Sequence, residues 1–499
     1  MPTSKKINRR EFLGSAAAAS LAMTIVPRQV LGGPGYVAPS DKLTLGYIGC
    51  GTQGIREMAE IITNPFLQIV AVCDPNKYSE NYVDWSQNDV RNTMRKATGE
   101  ASWGESIKGI PGGRDIGLEL VTKYYGKSKD SGTFKGCNSY EDFRELLEKE
   151  KDLNAIKIMT PDHLHGTVAI LSMRKGKQVV THKPIANRMY EAKLAIETAK
   201  KTGLQTNLLA WSDKPDNLKI KKWINDGAIG TLKEIHNWSN RPMWPQWQSN
   251  PTDTPPVPKD LNWNLWLGPV PDRPYHPNYT NAVFRGWYDF GAGSIADMGH
   301  YSLFPLFLTL GINTPAITAE SYATTTCALQ GNVSVGVRND VAFPLSCIIR
   351  FKFAAQTELP PFELFWYDGG MRPLIPELPT GPLTREGMMF VGDKGRIVAQ
   401  FRGEKPVLIV DNKIVPETSA SVLPNELNRD EAWINAFKNK TESPGSFVYA
   451  GPVTETILLG AVALRAGKKV EYDSANMKIT NIPDANKYLT REYRQGWEL

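Results

Sequence analysis

The stretch 42–62, "KLTLGYIGCGTQGIREMAEII", decides how the rest of the chain is read. Leu43, Leu45, Tyr47 and Ile48 read as a buried strand, and Ile55, Met58, Ala59 and Ile62 recur at helical spacing. The glycines between them therefore fall at a strand-to-helix junction in the pattern G-x-G-x-x-G. Gly49 permits a tight turn, Gly51 lets backbone approach a phosphate, and Gly54 allows a helix to pack closely on the strand. The helix start, with Thr52 and Gln53, offers unpaired N–H groups and the positive end of its dipole. An α/β turn without a ligand carries the same letters, so the neighbouring sequence matters. A second apolar run, "LQIVAVCD" (67–74), ends in Asp74, where the ribose-binding acid of a dinucleotide site falls. That carboxylate would bind ribose hydroxyls and repel a 2′-phosphate, which favours NAD over NADP, although Lys77 nearby pulls the other way.

The chain has 499 residues, room for two substantial domains, and the composition of a soluble globular protein. Its net charge of +6 is mild, and no Lys/Arg cluster is interleaved with aromatics, so nucleic acid is not an expected partner. The five cysteines (Cys50, Cys73, Cys137, Cys327, Cys347) are odd in number and widely spaced, and imply neither a disulfide framework nor a metal site. Residues 1–35 stand apart from the fold. Arg9 and Arg10 in "NRREFLG" precede "SAAAASLAMTIV", a run too short to span a bilayer. Paired arginines followed by Phe and Leu resemble the signal of the twin-arginine (Tat) export route, which carries folded proteins to the periplasm. A basic arm or an uncleaved anchor are the other readings.

Beyond Asp74, a polar, glycine-dotted stretch to about residue 137 reads as an insertion around one or two helices. From residue 140, strands and helices alternate: "YEDFRELLEKE", "LNAIKIMT", "HGTVAILSMRKG", "KQVVTHKP", "MYEAKLAIETAKKTG" and "LQTNLLA". This order implies right-handed parallel crossovers and a doubly wound parallel sheet over 40–210. Residues 211–499 form a second domain. Eight of the thirteen tryptophans lie between 205 and 290, and strand-like runs such as "SCIIRFKF", "FELFWYD" and "GRIVAQF" point to an open antiparallel sheet. "NELNRDEAWINAFKN" and "TETILLGAVALRAG" read as helices that return to the body of the protein.

Three motifs carry chemistry. "VVTHKPIA" sets Lys183 at the carboxyl end of a strand, the edge where open α/β sheets bind ligands. There a lysine can hold a substrate hydroxyl or the cofactor ribose, or it is simply a surface residue. "TPDHLHG" (160–166) ends the preceding strand in the same fashion and adds Thr160, Pro161, His163 and His165 as candidate cofactor contacts. Its histidines, two apart and without a carboxylate partner, make a poor metal pair and better suit hydrogen bonding within the fold or the start of a helix. In "GAGSIADMGHY", Asp297 and His300 lie three apart, on one face if the segment is helical. A histidine oriented by a carboxylate accepts a hydroxyl proton near neutral pH, and the same pair also serves structural roles. Of six histidines in the chain, four sit in these motifs.

Together "YIGCGTQG", "TPDHLHG", the Lys-Pro pair of "THKPIA", "WNLWLGPVPDRPY" and "GAGSIADMGHY" resemble the Gfo/Idh/MocA oxidoreductases, the group of glucose-fructose oxidoreductase and inositol dehydrogenase. The ending "KYLTREYRQGWEL" resembles a subgroup with Tat-type signals. The resemblance implies a Rossmann domain, an α/β domain with an open antiparallel sheet, NAD(P) between them, and a sugar, polyol or glycoside as substrate. It implies catalytic roles for Lys183, Asp297 and His300, and dimers or tetramers built through the C-terminal sheet. Two departures stand out: His182 occupies the place of the usual glutamate before the lysine, and the acid and histidine are three apart instead of four. Whether His300 or Lys183 is the principal base is open. Trp211 and Arg285 come from the aromatic region and join Lys183, Asp297 and His300 as candidate substrate contacts, since sugars pack C–H faces on aromatic rings and need polar partners for their hydroxyls.

Three functions fit. The first is oxidation of a secondary sugar hydroxyl, with C3 singled out, by tightly held NAD. The second is glycoside cleavage through transient C3 oxidation and elimination, with Tyr275, His276 or Tyr301 as a further base. The third is sugar binding without catalysis.

Overall fold

The computed structural model describes residues 37–127, 134–337, 339–416 and 423–499; the twin-arginine stretch lies outside them. The first domain is a six-stranded parallel sheet in the order β3-β2-β1-β4-β5-β6. The strands are β1 (Leu43–Ile48), β2 (Leu67–Cys73), β3 (Asn138–Tyr140), β4 (Ala155–Ile158), β5 (Gln178–Thr181) and β6 (Thr206–Leu208). Strand order reverses between β1 and β4, which opens a crevice at their carboxyl ends. Helices α1 (Thr52–Ile61), α2 (Asp89–Thr98), α3 (Arg114–Lys127), α4 (Phe143–Lys149), α5 (Asp162–Arg174) and α6 (Met189–Thr202) cover the sheet. α2 and α3 fill the polar stretch after Asp74.

α7 (Asp216–Asn225) leads into the second domain, whose sheet has ten strands in the order β16-β15-β14-β13-β7-β12-β11-β8-β17-β18. They are β7 (Leu232–Trp238), β8 (Thr318–Ala323), β11 (Cys347–Phe353), β12 (Phe362–Tyr367), β13 (Gly387–Gly392), β14 (Gly395–Ala399), β15 (Val407–Val410), β16 (Lys413–Ile414), β17 (Val470–Asp473) and β18 (Lys478–Ile479). β9 (Thr326–Gln330) and β10 (Val333–Val337) form a separate hairpin. Burial alternates strictly along β11, as expected of a strand with one face on a core. The sheet is antiparallel except where β7, arriving early from the first domain, lies parallel to β12.

Short α8 (Trp263–Leu267) and α9 (His300–Leu310) lie between β7 and β8 in the chain. The C-terminal helices return. α10 (Arg429–Asn439) inserts Trp433, Ile434 and Phe437 into the core built on β1, β2 and α1. Below it Glu57 takes ion pairs from Lys157 at 3.1 Å and Arg429 at 3.0 Å. α11 (Phe447–Ala466) is long and apolar enough to cross a membrane, but most of it is buried against α6, α9 and β8. The last residues form a strap. Arg491 pairs with buried Glu191 of α6 at 2.6 Å, Arg494 donates to the carbonyls of Asn264 and Gly268 at 2.6 Å, and Trp497 packs on Phe143.

Candidate active site

At the end of β1, Gly49 has φ +101°, and a Cβ there would sit 2.5 Å from the carbonyl of Met159. A Cβ on Gly54 would sit 2.2 Å from the Gly49 carbonyl oxygen, so α1 presses directly on the loop. Gly51 differs. Its nearest neighbour would be the Tyr82 ring at 3.3 Å, with no backbone close by. It precedes a helix with no side-chain cap, which leaves the N–H groups of the first turn open. Asp74 follows β2. Its carboxylate accepts from the Cys50 N–H at 2.7 Å and the Asn76 N–H at 2.8 Å, and burial pushes the acid up to about 6 in spite of them. Gly49, Gly51, Thr52, Gln53, Gly54, Asp74, Thr160 and Pro161 line one wall of a cavity of about 310 Å³. Leu261, Trp266, Tyr275 and Phe284 of the second domain form the other. Bare backbone, an uncapped helix start and a buried acid are the donor set a dinucleotide pyrophosphate and ribose require.

His182 and Arg285 bring side chains to the same cavity, and a buried cluster of charged groups adjoins them. Lys183 follows β5, before a cis peptide bond to Pro184, and donates from Nζ to Asp297 Oδ1 at 2.8 Å. Arg285, which lines the cavity, brings Nε to 3.4 Å from the same oxygen. Burial opposes both charges of the Lys183–Asp297 pair, but mutual attraction outweighs it: the lysine is held above and the carboxyl below its ordinary value. Asp162, in the first turn of α5, accepts from the Ala292 N–H at 3.1 Å; burial pushes it up to about 7 against the pull of Arg285 and Lys183. His182 also lines the cavity, and its Nε2 lies 3.1 Å from the Tyr301 hydroxyl. The Tyr301 ring carries Lys183 Nζ at 4.5 Å and the Arg402 guanidinium at 5.0 Å from its centre.

Four expected contacts lie elsewhere. His300 is fully buried, with Nδ1 2.9 Å from the Ala296 carbonyl and Nε2 3.3 Å from the Thr454 hydroxyl on α11. The reason is local: Ile295–Gly299 is a π-helical turn, and its wider winding needs more residues to return to one face. Tyr301, four residues after Asp297, comes round beneath Lys183 in place of His300. His163 bonds the Trp266 carbonyl at 2.9 Å and is wedged against the Trp266 and Phe290 rings, where burial drives it down to about 3. His165 lies between the carbonyls of Pro184 at 2.7 Å and Thr160 at 2.8 Å. Burial drives it down to about 4, so the neutral ring donates to only one of them. Both histidines brace the strand-end loops from behind the cavity wall. Trp211 is buried in the main core. The cavity tryptophan is Trp266, stacked on Trp263 at 5.0 Å, with Tyr275 edge-on to Trp263. Tyr301 was readable from its spacing to Asp297; no sequence signal singles out Trp266 among its neighbours.

Residues 119–208 match the family described as oxidoreductase family, NAD-binding Rossmann fold, and residues 215–326 match its C-terminal alpha/beta domain. Both are domains of the Gfo/Idh/MocA oxidoreductase family. The chain is 30% identical over 115 residues to levoglucosan dehydrogenase of Pseudarthrobacter phenanthrenivorans, covering 22% of this chain and 29% of that protein. It is 35% identical over 92 residues to scyllo-inositol 2-dehydrogenase (NAD(+)) of Bacillus subtilis, covering 18% and 26%. The matched stretch thus spans less than a third of these curated relatives. The WlbA dehydrogenase of Bordetella pertussis, solved with NADH and UDP-GlcNAcA, shares the fold with a TM-score of 0.51 at 14% identity, covering 87% of this chain and 99% of that one. The chain has an NAD-binding Rossmann domain, and the glycine loop and Asp74 are the residues that fit the cofactor.

Proposed function

We propose that this protein oxidises a secondary hydroxyl of a sugar or glycoside, at C3, using NAD that stays tightly bound. The observation that carries this reading is one cavity lined by a bare glycine loop, a buried acid, His182 and Arg285, with Arg285 ion-paired to the buried Asp297 that holds Lys183. The two curated relatives are named for levoglucosan and scyllo-inositol, both polyhydroxylated rings. Gly49, Gly51, Thr52, Gln53, Gly54, Asp74, Thr160 and Pro161 would hold the cofactor, whose nicotinamide supplies the hydride acceptor when bound. Lys183 donates a hydrogen bond to the reacting oxygen and steadies negative charge as it develops there. Asp297 keeps the lysine charged and in place, and Arg285 supports Asp297 from the cavity side. Trp266 and Tyr275 give a sugar ring an apolar wall. His300 belongs to the supporting structure of α9 and α11.

The twin-arginine stretch supports export to the periplasm with the cofactor aboard, and hence recycling by a second sugar or keto compound. The second sheet is the proposed contact in a homodimer or tetramer, which sedimentation tests. The first test of function is purification without added nucleotide, then denaturation and assay of the supernatant. Stoichiometric NAD(H), followed by NADH formation with a sugar or glycoside panel, is the expected result. A protein that arrives empty and binds no added NAD would overturn the reading, and release of aglycone without net NADH would replace oxidation by elimination.

A further inference from the structure

The two places where this chain departs from the family pattern, His182 and the residue four beyond Asp297, touch each other. His182 Nε2 lies 3.1 Å from the Tyr301 hydroxyl, and Lys183 Nζ sits over the Tyr301 ring. We propose that His182, oriented by Tyr301, is the group that accepts the substrate's hydroxyl proton. This rests on the dehydrogenase reading above and assigns its base.

The other candidates are committed elsewhere. Lys183 is engaged with Asp297 and, as a charged ammonium, has hydrogens to donate and no lone pair. His300 has both ring nitrogens occupied inside the fold. His182 faces the cavity, and because Nε2 is taken by Tyr301, Nδ1 is the nitrogen left for a ligand. An Nε2–H donated to the tyrosine oxygen fixes the tautomer in which Nδ1 has a free lone pair. The charged and titratable groups facing the ring are Lys183 beside it, His165 on α5, Arg285 across the cavity, Arg429 on α10 and Tyr301 on α9. Burial first, and then those cations, hold His182 well below its ordinary value, so the ring is neutral with its lone pair available, and a proton it takes is held only weakly and passes on.

In the step itself the substrate O–H bond breaks and an N–H bond forms at His182 Nδ1. With NAD bound, the carbinol C–H electron pair would leave as hydride to the acceptor that the nicotinamide supplies, leaving the carbonyl. The imidazolium, beside Lys183 and Arg285, then returns its proton to water through the cavity.

The test is His182→Gln, whose amide can keep the contact with Tyr301 but accepts no proton. We expect kcat to fall about 10²- to 10⁴-fold, with sugar KM and NAD(H) content unchanged. Tyr301→Phe should move the acid limb of the kcat/KM profile to lower pH, because the oxygen that favours the imidazolium is gone. Independently of turnover, ¹⁵N NMR of histidine-labelled protein should show one Nε2-protonated ring that vanishes in His182→Gln and shifts in Tyr301→Phe. Wild-type kcat in His182→Gln, a loss of rate only in step with lost NAD(H), or a His182 signal indifferent to Tyr301→Phe would overturn the assignment. Wild-type protein that neither holds NAD(H) nor oxidises any sugar would overturn the dehydrogenase reading instead, while the NMR arm still judges the pair.

Discussion

The two ends of the cavity are built on opposite plans. The glycine end is backbone from one continuous stretch, residues 49–54, with Asp74 locked onto it by two main-chain N–H groups. The proton-handling end is side chains from two parts of the chain, the residues just after β5 and the segment from Arg285 to Tyr301, more than a hundred residues apart in sequence. The first is specified by which atoms are missing, and the second by which charges are brought together without water. A change at one end should therefore remove cofactor, and a change at the other should remove turnover while cofactor remains.

The largest expected effect sharpens that contrast. Lys183→Met should lower kcat about 10³-fold with NAD(H) per chain unchanged; loss of the nucleotide in this variant would merge the two ends into one. Gly54→Ala is the reverse case. Its methyl meets the Gly49 carbonyl, so we expect destabilisation by about 1–3 kcal/mol and NAD(H) content below half, read by thermal unfolding and nucleotide assay. Asp74→Asn should reduce the preference for NAD over NADP by about 10-fold, measured as the ratio of the two dissociation constants.

The smallest effect concerns pH. The Asp162 acid is held up at about 7, against an ordinary 3.8. As pH rises through that window, the unfolded chain releases this proton before the folded one does, so its contribution to stability declines and is flat above. Asp162→Asn keeps an acceptor for the Ala292 N–H and cannot ionise. Its melting temperature should gain on wild type between about pH 4 and about pH 7; parallel curves would show that Asp162 does not titrate there.

The same contrast explains what was legible in the sequence. The glycine loop, Asp74 and the alternation of strands and helices are local patterns, and each lies where its spacing indicates. Lys183 and Asp297 were readable from their motifs, although not as partners in an ion pair. The spacing of His300 from Asp297 reads as one face of an α-helix, whereas the chain makes a π-helical turn there, a change of winding that no residue pattern announces. His163 and His165 read either as cofactor contacts or as hydrogen-bonding groups within the fold, and their partners are main-chain carbonyls supplied by Trp266, Pro184 and Thr160. Carbonyl groups carry no side-chain signature. The parallel entry of β7 beside β12 was hidden for a related reason, since alternation predicts a strand but not its neighbour.

The strap at the end of the chain has a consequence for how the protein comes into being. Residues 491–497 clamp α6 to α8, and α10 completes the core around β1. While those residues are still inside the ribosome, the amino-terminal domain has emerged but lacks a structural helix and its closing clasp. Synthesis order and assembly order are thus reversed at the nucleotide site.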